Sequence, residues 1–147
     1  MATVDDVAAY ILSRTGQIST MKLQKLLYYC QGWSLAWDGT PLFSNKFEAW
    51  ANGPVVRDVF DRHRGRFVVA DWVWGDDSTL TDDERETVNV VCDSYGQLSG
   101  QQLSERTHIE RPWLEARGNL RPGDYGVDEI SLDTMQDFFG GLNANQD

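Results

Sequence analysis

MKLQKLLYYCQGWSLAW, residues 21–37, is the stretch of sequence that decides the fold. Its apolar side chains recur at the 3.6-residue period of an α-helix, and further apolar side chains fill the other sides of that helix. A helix that is apolar nearly all round is normally central in its fold. Ser19 or Thr20 can cap its N-terminus, and Gly39 suits the left-handed position that follows a helix, so we expect a long central helix here.

Helix-capping residues mark further helices on both sides of this stretch. Thr3 with Asp6 forms a capping pair for a first helix, and Thr81 with Glu84 has the capping-box spacing. Other helices are predicted to begin at Pro54, Ser99, Pro112 and Leu132, the last of them ending at Phe139 before Gly140 and Gly141. Brief strands are predicted within residues 43–51, at 67–69 and at Ile130.

These patterns predict a mainly α protein, a compact single-domain helical bundle with at most a small two- or three-stranded sheet. No internal repeat, low-complexity tract or Gly/Ser linker divides the chain. We therefore expect one domain over residues 1–142 and a frayed polar tail over residues 143–147.

Composition and charge narrow the class of partner. The chain has 147 residues, of which 41% are hydrophobic, so a folded core is expected rather than disorder. A net charge of −10 repels phosphate and favours a protein partner over nucleic acid, although acidity also simply keeps a protein in solution. No apolar run approaches the ~20 residues needed to span a bilayer, and the acidic N-terminus lacks the features of a signal peptide. We expect a cytoplasmic protein with no membrane partner.

The sequence carries no recognisable catalytic or cofactor-binding motif. It contains neither a phosphate-binding loop of the P-loop kind nor a dinucleotide-binding glycine motif. Cys30, His63, Cys92 and His108 each stand alone in their segments, whereas zinc sites use closely spaced ligands. Both cysteines lie among apolar neighbours and are interpreted as buried thiols. The sequence therefore predicts no metal and no cofactor.

His108 and Glu110 supply the main alternative to a binding protein. They lie two residues apart between two short predicted helices, where His108 could act as a general base oriented by Glu110 in a small hydrolase or metal-dependent enzyme. An isolated His–Glu pair is not a triad, however. We favour a structural role, in which His108 satisfies backbone groups and Trp113 anchors the loop.

Trp72 and Trp74 are candidates for an interaction surface. Residues two apart lie on the same side of an extended segment, so both indoles would face one way. Facing outward they would form a binding hot spot, because tryptophan dominates interface energetics. Facing inward they would cover the core, and the sequence alone does not choose between the two.

Three runs of sequence resemble a known family when they are taken together. They are MKLQKLLYYCQGW at 21–33, FEAWANGPVV at 47–56, and Thr107-His108 followed by PWLEAR at 112–117. In this order they look like the SocA-like Panacea antitoxin domain, over about Val4 to Arg117. The residues that carry the resemblance are Lys22, Leu23, Gln24, Lys25, Leu26, Trp50, Gly53, Pro54, Val55, Thr107, His108, Pro112 and Trp113. These residues are predicted to form the framework of the fold, with Gly53 in a turn of positive φ and Pro54 opening a helix.

The resemblance implies a non-enzymatic bacterial or phage antitoxin that neutralises a toxin encoded nearby by binding it. Because one related line of the family acts as an adaptor, the resemblance also implies an alternative in which the antitoxin delivers its toxin to a AAA+ protease. A structural phage component that assembles with itself is a further alternative. The predicted toxin interface comprises the exposed faces of Tyr28 and Tyr29, together with Arg57, Arg62, Trp72 and Trp74.

Overall fold

The computed structural model describes residues 1–145, which form seven helices and four short strands. In chain order these are α1 (Val4–Thr15), β1 (Ile18–Ser19), α2 (Thr20–Asp38), β2 (Glu48–Trp50), β3 (Gly53–Val55), α3 (Arg57–His63), β4 (Val68–Val69), α4 (Asp82–Tyr95), α5 (Gly100–Thr107), α6 (Arg111–Arg117) and α7 (Leu132–Ala144). The strands make two separate two-stranded sheets. The predicted class, a mainly α single domain with little sheet, is confirmed.

Helix α2 runs through the centre of the protein. Every residue from 23 to 35 along it is buried, which matches its nearly continuous apolar surface. Its N-terminus is capped by the Ser19 hydroxyl, which accepts a hydrogen bond from the backbone N–H of Lys22. Its C-terminus closes at Gly39 in the left-handed conformation, as the sequence predicts.

Helices α1, α4, α5 and α7 pack around α2. At Gly32 a Cβ atom would lie 2.2 Å from Cε2 of Phe139 on α7. Glycine at this position therefore lets an aromatic ring rest directly on the backbone of the central helix. Phe139 is fully buried by this contact and joins an aromatic cluster with Tyr28, Tyr29 and Trp33.

The peripheral helices begin where the capping residues predict. The Thr3 hydroxyl accepts from the Asp6 N–H at the start of α1. Thr81 and Glu84 form a complete capping box at α4, and Ser99 forms another with Gln102 at α5. Helix α5 continues to Thr107, and α7 passes through Gly140 and Gly141 to Ala144. Helix α7 therefore extends beyond its predicted end at Phe139, and Leu142 packs against the core there.

One predicted helix start is wrong. Pro54 does not open α3; it lies in β3, which forms an antiparallel hairpin with β2, and α3 begins at Arg57. A proline is tolerated there because, among residues 1–145, no further strand lies beside β3 to receive an N–H. Gly53 has φ +119°, the turn conformation that the sequence predicts for it.

The predicted strand at 67–69 is present as β4, which pairs with β1 through Ile18 and Val69. Near Ile130 a single bridge links Glu48 with Glu129, and Ile130 donates to the carbonyl of Phe47. The predicted domain boundary at residue 142 falls inside α7. Of the predicted tail, residues 146 and 147 lie outside the described residues. Among residues 1–145, no helix is long and apolar enough to cross a membrane.

Candidate functional site

The Asp5 carboxylate ties together three segments of the fold. It accepts hydrogen bonds from the Arg62 guanidinium, at 2.9 Å from Nε and 3.1 Å from Nη2, and from the indole N–H of Trp72 at 2.9 Å. The first turn of α1, helix α3 and the loop after β4 therefore meet at one side chain. The loop approaches so closely that a Cβ at Gly75 would lie 2.0 Å from the Asp5 carbonyl oxygen.

Trp72 and Trp74 differ in exposure although their rings are in contact. The segment turns instead of running extended, so Trp72 is buried at 4% exposure while Trp74 is 41% exposed. Their rings meet edge to face with centroids 5.0 Å apart, and the Arg62 guanidinium lies 5.4 Å from the Trp74 ring centroid. The structure therefore leaves Trp74 and part of Arg62 available to a partner and assigns Trp72 to their support.

The segment from residue 67 to residue 74 exposes an unusual amount of apolar surface. Phe67 is 83% exposed, Val73 80% and Val68 42%, beside the half-exposed Trp74. These four residues are called the 67–74 surface. Large apolar side chains concentrated in one exposed segment are typical of an interaction site. The sequence pattern pointed to Trp74 but not to Phe67, which it placed only in a short strand.

Tyr28 and Tyr29 offer no exposed face, so their prediction as interface residues is wrong. Both are 0% exposed, because helices pack against α2 on every side. The Tyr29 hydroxyl lies 3.1 Å from both oxygens of Glu110, and the Tyr28 hydroxyl has no partner among the described residues. Burial also raises the pKa of Tyr29 well above its usual range. These tyrosines belong to the core.

Arg57 lies apart from the Asp5 cluster, on another side of α3. Its guanidinium pairs with Glu48 at 2.9 Å and stacks over Trp50 with 5.2 Å to the ring centroid. Residues five apart on a helix are separated by roughly 140° around its axis, so Arg57 and Arg62 face different directions. Arg57 instead lies at the mouth of a pocket.

This pocket has a volume of about 490 Å³ and lies between α2, α3 and the β2–β3 hairpin. Its inner side chains are the buried Gln24, Lys25 and His63. Its walls include Trp50 and Phe60, whose rings meet edge to face at 4.8 Å. Two of the three sequence runs that resemble the antitoxin family therefore converge on one pocket, although 25 residues separate Lys25 from Trp50.

Gln24 and Lys25 bind the backbone that follows the hairpin. The Gln24 side chain accepts from the Val56 N–H at 2.9 Å and donates to the Val56 carbonyl, and its Nε2 lies 3.0 Å from Nε2 of His63. The Lys25 amine donates to the Pro54 carbonyl at 3.2 Å. Burial lowers the pKa of Lys25 to about 7, because no carboxylate among residues 1–145 pairs with it. Burial likewise lowers the pKa of His63.

His108 is held as a structural residue. Its two ring nitrogens face the carbonyl oxygens of Ser104 and Ala51, at 2.5 and 2.8 Å, and its ring packs on Trp113 at 4.1 Å. A carbonyl oxygen can only accept, so neither nitrogen is placed to take a proton from a substrate. Glu110 points to Tyr29 and not to His108. The pairing of His108 with Glu110 that a hydrolase or metal-dependent enzyme would require is therefore not formed.

Both cysteines are free thiols in the described structure. Cys30 is fully buried, and burial raises its pKa, while Cys92 is partly buried with its pKa raised to about 11. Such thiols are poor nucleophiles near neutral pH. Within residues 1–145, no three His, Cys, Asp or Glu side chains gather as a metal-binding group.

A family model described as "Antitoxin SocA-like, Panacea domain" matches residues 23–114, from α2 through most of α6. The chain belongs to the SocA-like Panacea family. The resemblance inferred from the three sequence runs is confirmed, and all three lie wholly or partly within the matched region.

One curated relative of this Panacea-domain protein is Antitoxin SocA of Caulobacter vibrioides (strain NA1000 / CB15N). It is 30% identical over 109 residues, which make up 65% of this chain and 58% of the relative. The chain thus aligns with little more than half of the length of that relative. No solved structure matches the chain.

Proposed function

We propose that this Panacea-domain protein neutralises a partner toxin by binding to it directly in the cytoplasm, without catalysing a reaction. Membership of an antitoxin family supports a toxin as partner. The surroundings of His108 and the raised pKa values of both thiols support a role in binding over a role in catalysis.

The observation that carries this proposal is the 67–74 surface. Four large apolar side chains are exposed within eight residues, and one of them is a tryptophan. Tryptophan and arginine are the residues that most often dominate the free energy of protein association. A partner that covered this segment and the adjoining side of α3 could form a standard interface of about 800 Å² per protein.

Contacts beneath the 67–74 surface order its side chains before a partner binds. Arg62 is fixed by Asp5 and stacked on Trp74, so both side chains already hold one geometry. A side chain that is ordered before association loses less conformational entropy when the partner arrives.

Co-expression with the adjacent open reading frame tests the proposal. The neighbouring product should arrest growth alone, and this chain should restore growth and co-purify with it. Trp74→Ala should weaken binding by at least about tenfold, because it removes the aromatic centre of the surface. Leu114→Ala on α6 is the matched control, since Leu114 is 46% exposed and lies on another element.

Three results would contradict the proposal. The first is a neighbouring product that is harmless and does not bind. The second is equal binding by the Trp74 and Leu114 variants, which would remove the 67–74 surface from the interface. The third is rescue that disappears in cells lacking AAA+ proteases while binding persists, which would indicate an adaptor.

A further inference from the structure

The pocket between α2, α3 and the β2–β3 hairpin has a lining whose charge differs from that of the whole protein. It includes Lys25, Arg57 and Arg64 and contains no Asp or Glu. In a chain where 23 of 147 residues are acidic, about two of the fourteen lining residues would be acidic if they were distributed evenly. The pocket is therefore a positive concavity in an acidic protein, and concavities of one charge attract ligands of the other.

The cations differ in how far their charge is already balanced. Arg57 is paired with Glu48, whereas neither Lys25 nor Arg64 forms an ion pair within the described residues. Lys25 is 2% exposed, with the Pro54 carbonyl as its one hydrogen-bond acceptor among residues 1–145. A buried lysine is normally paired with an opposite charge, because taking an ammonium group out of water is costly.

Aromatic rings supply the apolar part of the pocket. Trp50 and Phe60 form one wall, and Tyr125, which is 83% exposed, lies at the rim. Arg57 stacks on Trp50, and Arg64 lies 5.7 Å from the centroid of the Phe60 ring. The guanidinium groups are thus held beside the ring faces, where they can contact an anionic group without leaving the wall.

We propose that this pocket binds a small aromatic anion. The flat ring of the ligand lies among Trp50, Phe60 and Tyr125, and its acidic group meets Lys25 and Arg64. The volume of about 490 Å³ is in the range of small-molecule sites, which are mostly apolar with a few convergent polar groups. The pocket lining contains no residue of the 67–74 surface, and this proposal holds whether or not the protein neutralises a toxin.

Two fluorescent probes with nearly the same rings test the proposal. Anilinonaphthalene sulfonate is an aromatic anion, and phenylnaphthylamine is its neutral counterpart. We expect the sulfonate to bind the unmodified protein at least about tenfold more tightly than the amine, because only the anion can use the cations of the pocket. Competition with naphthoate and with naphthyl phosphate then shows whether a carboxylate or a phosphate is preferred.

Three variants locate the site. Arg64→Gln and Lys25→Met should each weaken the sulfonate several-fold and leave the amine unchanged. Arg14→Gln is the control, because Arg14 pairs with Asp93 on α4 and does not line the pocket. Arg64 is exposed, so its variant is expected to fold even if the core change at Lys25 is not tolerated.

The proposal is overturned if the sulfonate fails to bind at millimolar concentration, or if the neutral amine binds as tightly. It is also overturned if Arg64→Gln and Arg14→Gln give the same affinity for the sulfonate.

Proton uptake on binding provides a second test, which depends on the buried amine of Lys25. An anion beside Lys25 raises its pKa, so binding near pH 7 should take up protons from the buffer in the unmodified protein but not in Lys25→Met.

Discussion

The Tyr29 hydroxyl lies 3.1 Å from both carboxylate oxygens of Glu110, and this contact joins the middle of α2 to the residue that precedes α6. Glu110 is 6% exposed and has no ion pair within the described residues. Burial raises its pKa to about 7, while the hydrogen bond from Tyr29 and the charge of Arg106 act in the opposite direction. The core therefore holds a carboxyl group that titrates near neutral pH.

Glu110→Gln should change how stability depends on pH. The folded pKa of Glu110 lies above its unfolded value, so the stability that this group contributes is complete below about pH 4.5 and is lost as the pH rises through about 7. The glutamine variant should have nearly the wild-type free energy of unfolding at pH 4.5. At pH 8 it should be more stable than wild type by roughly 1–3 kcal/mol.

Urea denaturation at several pH values measures this difference. Tyr29→Phe is the companion variant: it removes a hydrogen bond that lowers the pKa of Glu110, so the loss of stability should move to higher pH. Parallel curves for wild type and Glu110→Gln would show that Glu110 does not titrate in this window.

Lys25→Met should also stabilise the protein, but its effect should be larger at low pH than at high pH, the reverse of Glu110→Gln. The pKa of Lys25 is about 7 in the folded protein and near 10.5 unfolded, so its contribution to stability is present above pH 10.5 and lost as the pH falls through 7. Methionine keeps the length of the side chain and removes the buried amine. The variant should exceed wild type by roughly 2–3 kcal/mol at pH 6, with a smaller difference at pH 9.

Thermal and urea unfolding at the two pH values test this prediction. Lys46→Met is the control, because Lys46 is exposed and its replacement should change stability by less than about 0.5 kcal/mol. A Lys25 variant that is less stable than wild type at pH 6 would indicate that the amine is well solvated or paired in solution.

Gly32→Ala should destabilise the protein by roughly 1–3 kcal/mol, because the new methyl group would overlap the Phe139 ring. Gly140→Ala, one residue beyond Phe139 in α7, has no atom within 4 Å of the new Cβ and should stabilise α7 by roughly 0.5–1 kcal/mol. The two substitutions are chemically identical and differ only in packing. If both raise the midpoint of urea denaturation, the close contact between α2 and Phe139 is absent in solution.

Asp5→Ala should weaken toxin binding although Asp5 itself lies beneath the proposed interface. Removal of the carboxylate frees Arg62 and leaves the Trp72 indole N–H without its acceptor, so Trp74 loses its support. We expect a stability loss of roughly 1–3 kcal/mol and a several-fold weaker interaction. Arg14→Gln, which breaks the exposed pair between Arg14 and Asp93, should change neither quantity measurably. Undiminished binding by Asp5→Ala would separate this cluster from the interface.

Local sequence determined where several helices begin and where α2 ends. The cap at Thr3, the capping boxes at Thr81 and Ser99, and the left-handed Gly39 all act within about four residues, so each was visible in the sequence. The continuous apolar surface of α2 likewise established that this helix is central. The family was also predictable, because its motifs are short and lie in a fixed order.

Tertiary structure alone decided the candidate sites. Pro54 is compatible with a first helical turn and with a hairpin strand, and only pairing with Ala49 selects the strand. Periodicity alone placed apolar surface on all sides of α2, but the helices that cover Tyr28 and Tyr29 come from distant parts of the chain. The position of Trp72 also depends on a distant segment, because its indole N–H donates to Asp5, 67 residues away in the sequence. A sequence states which side chains can be buried or charged, whereas exposure and pairing depend on contacts between segments far apart in the chain.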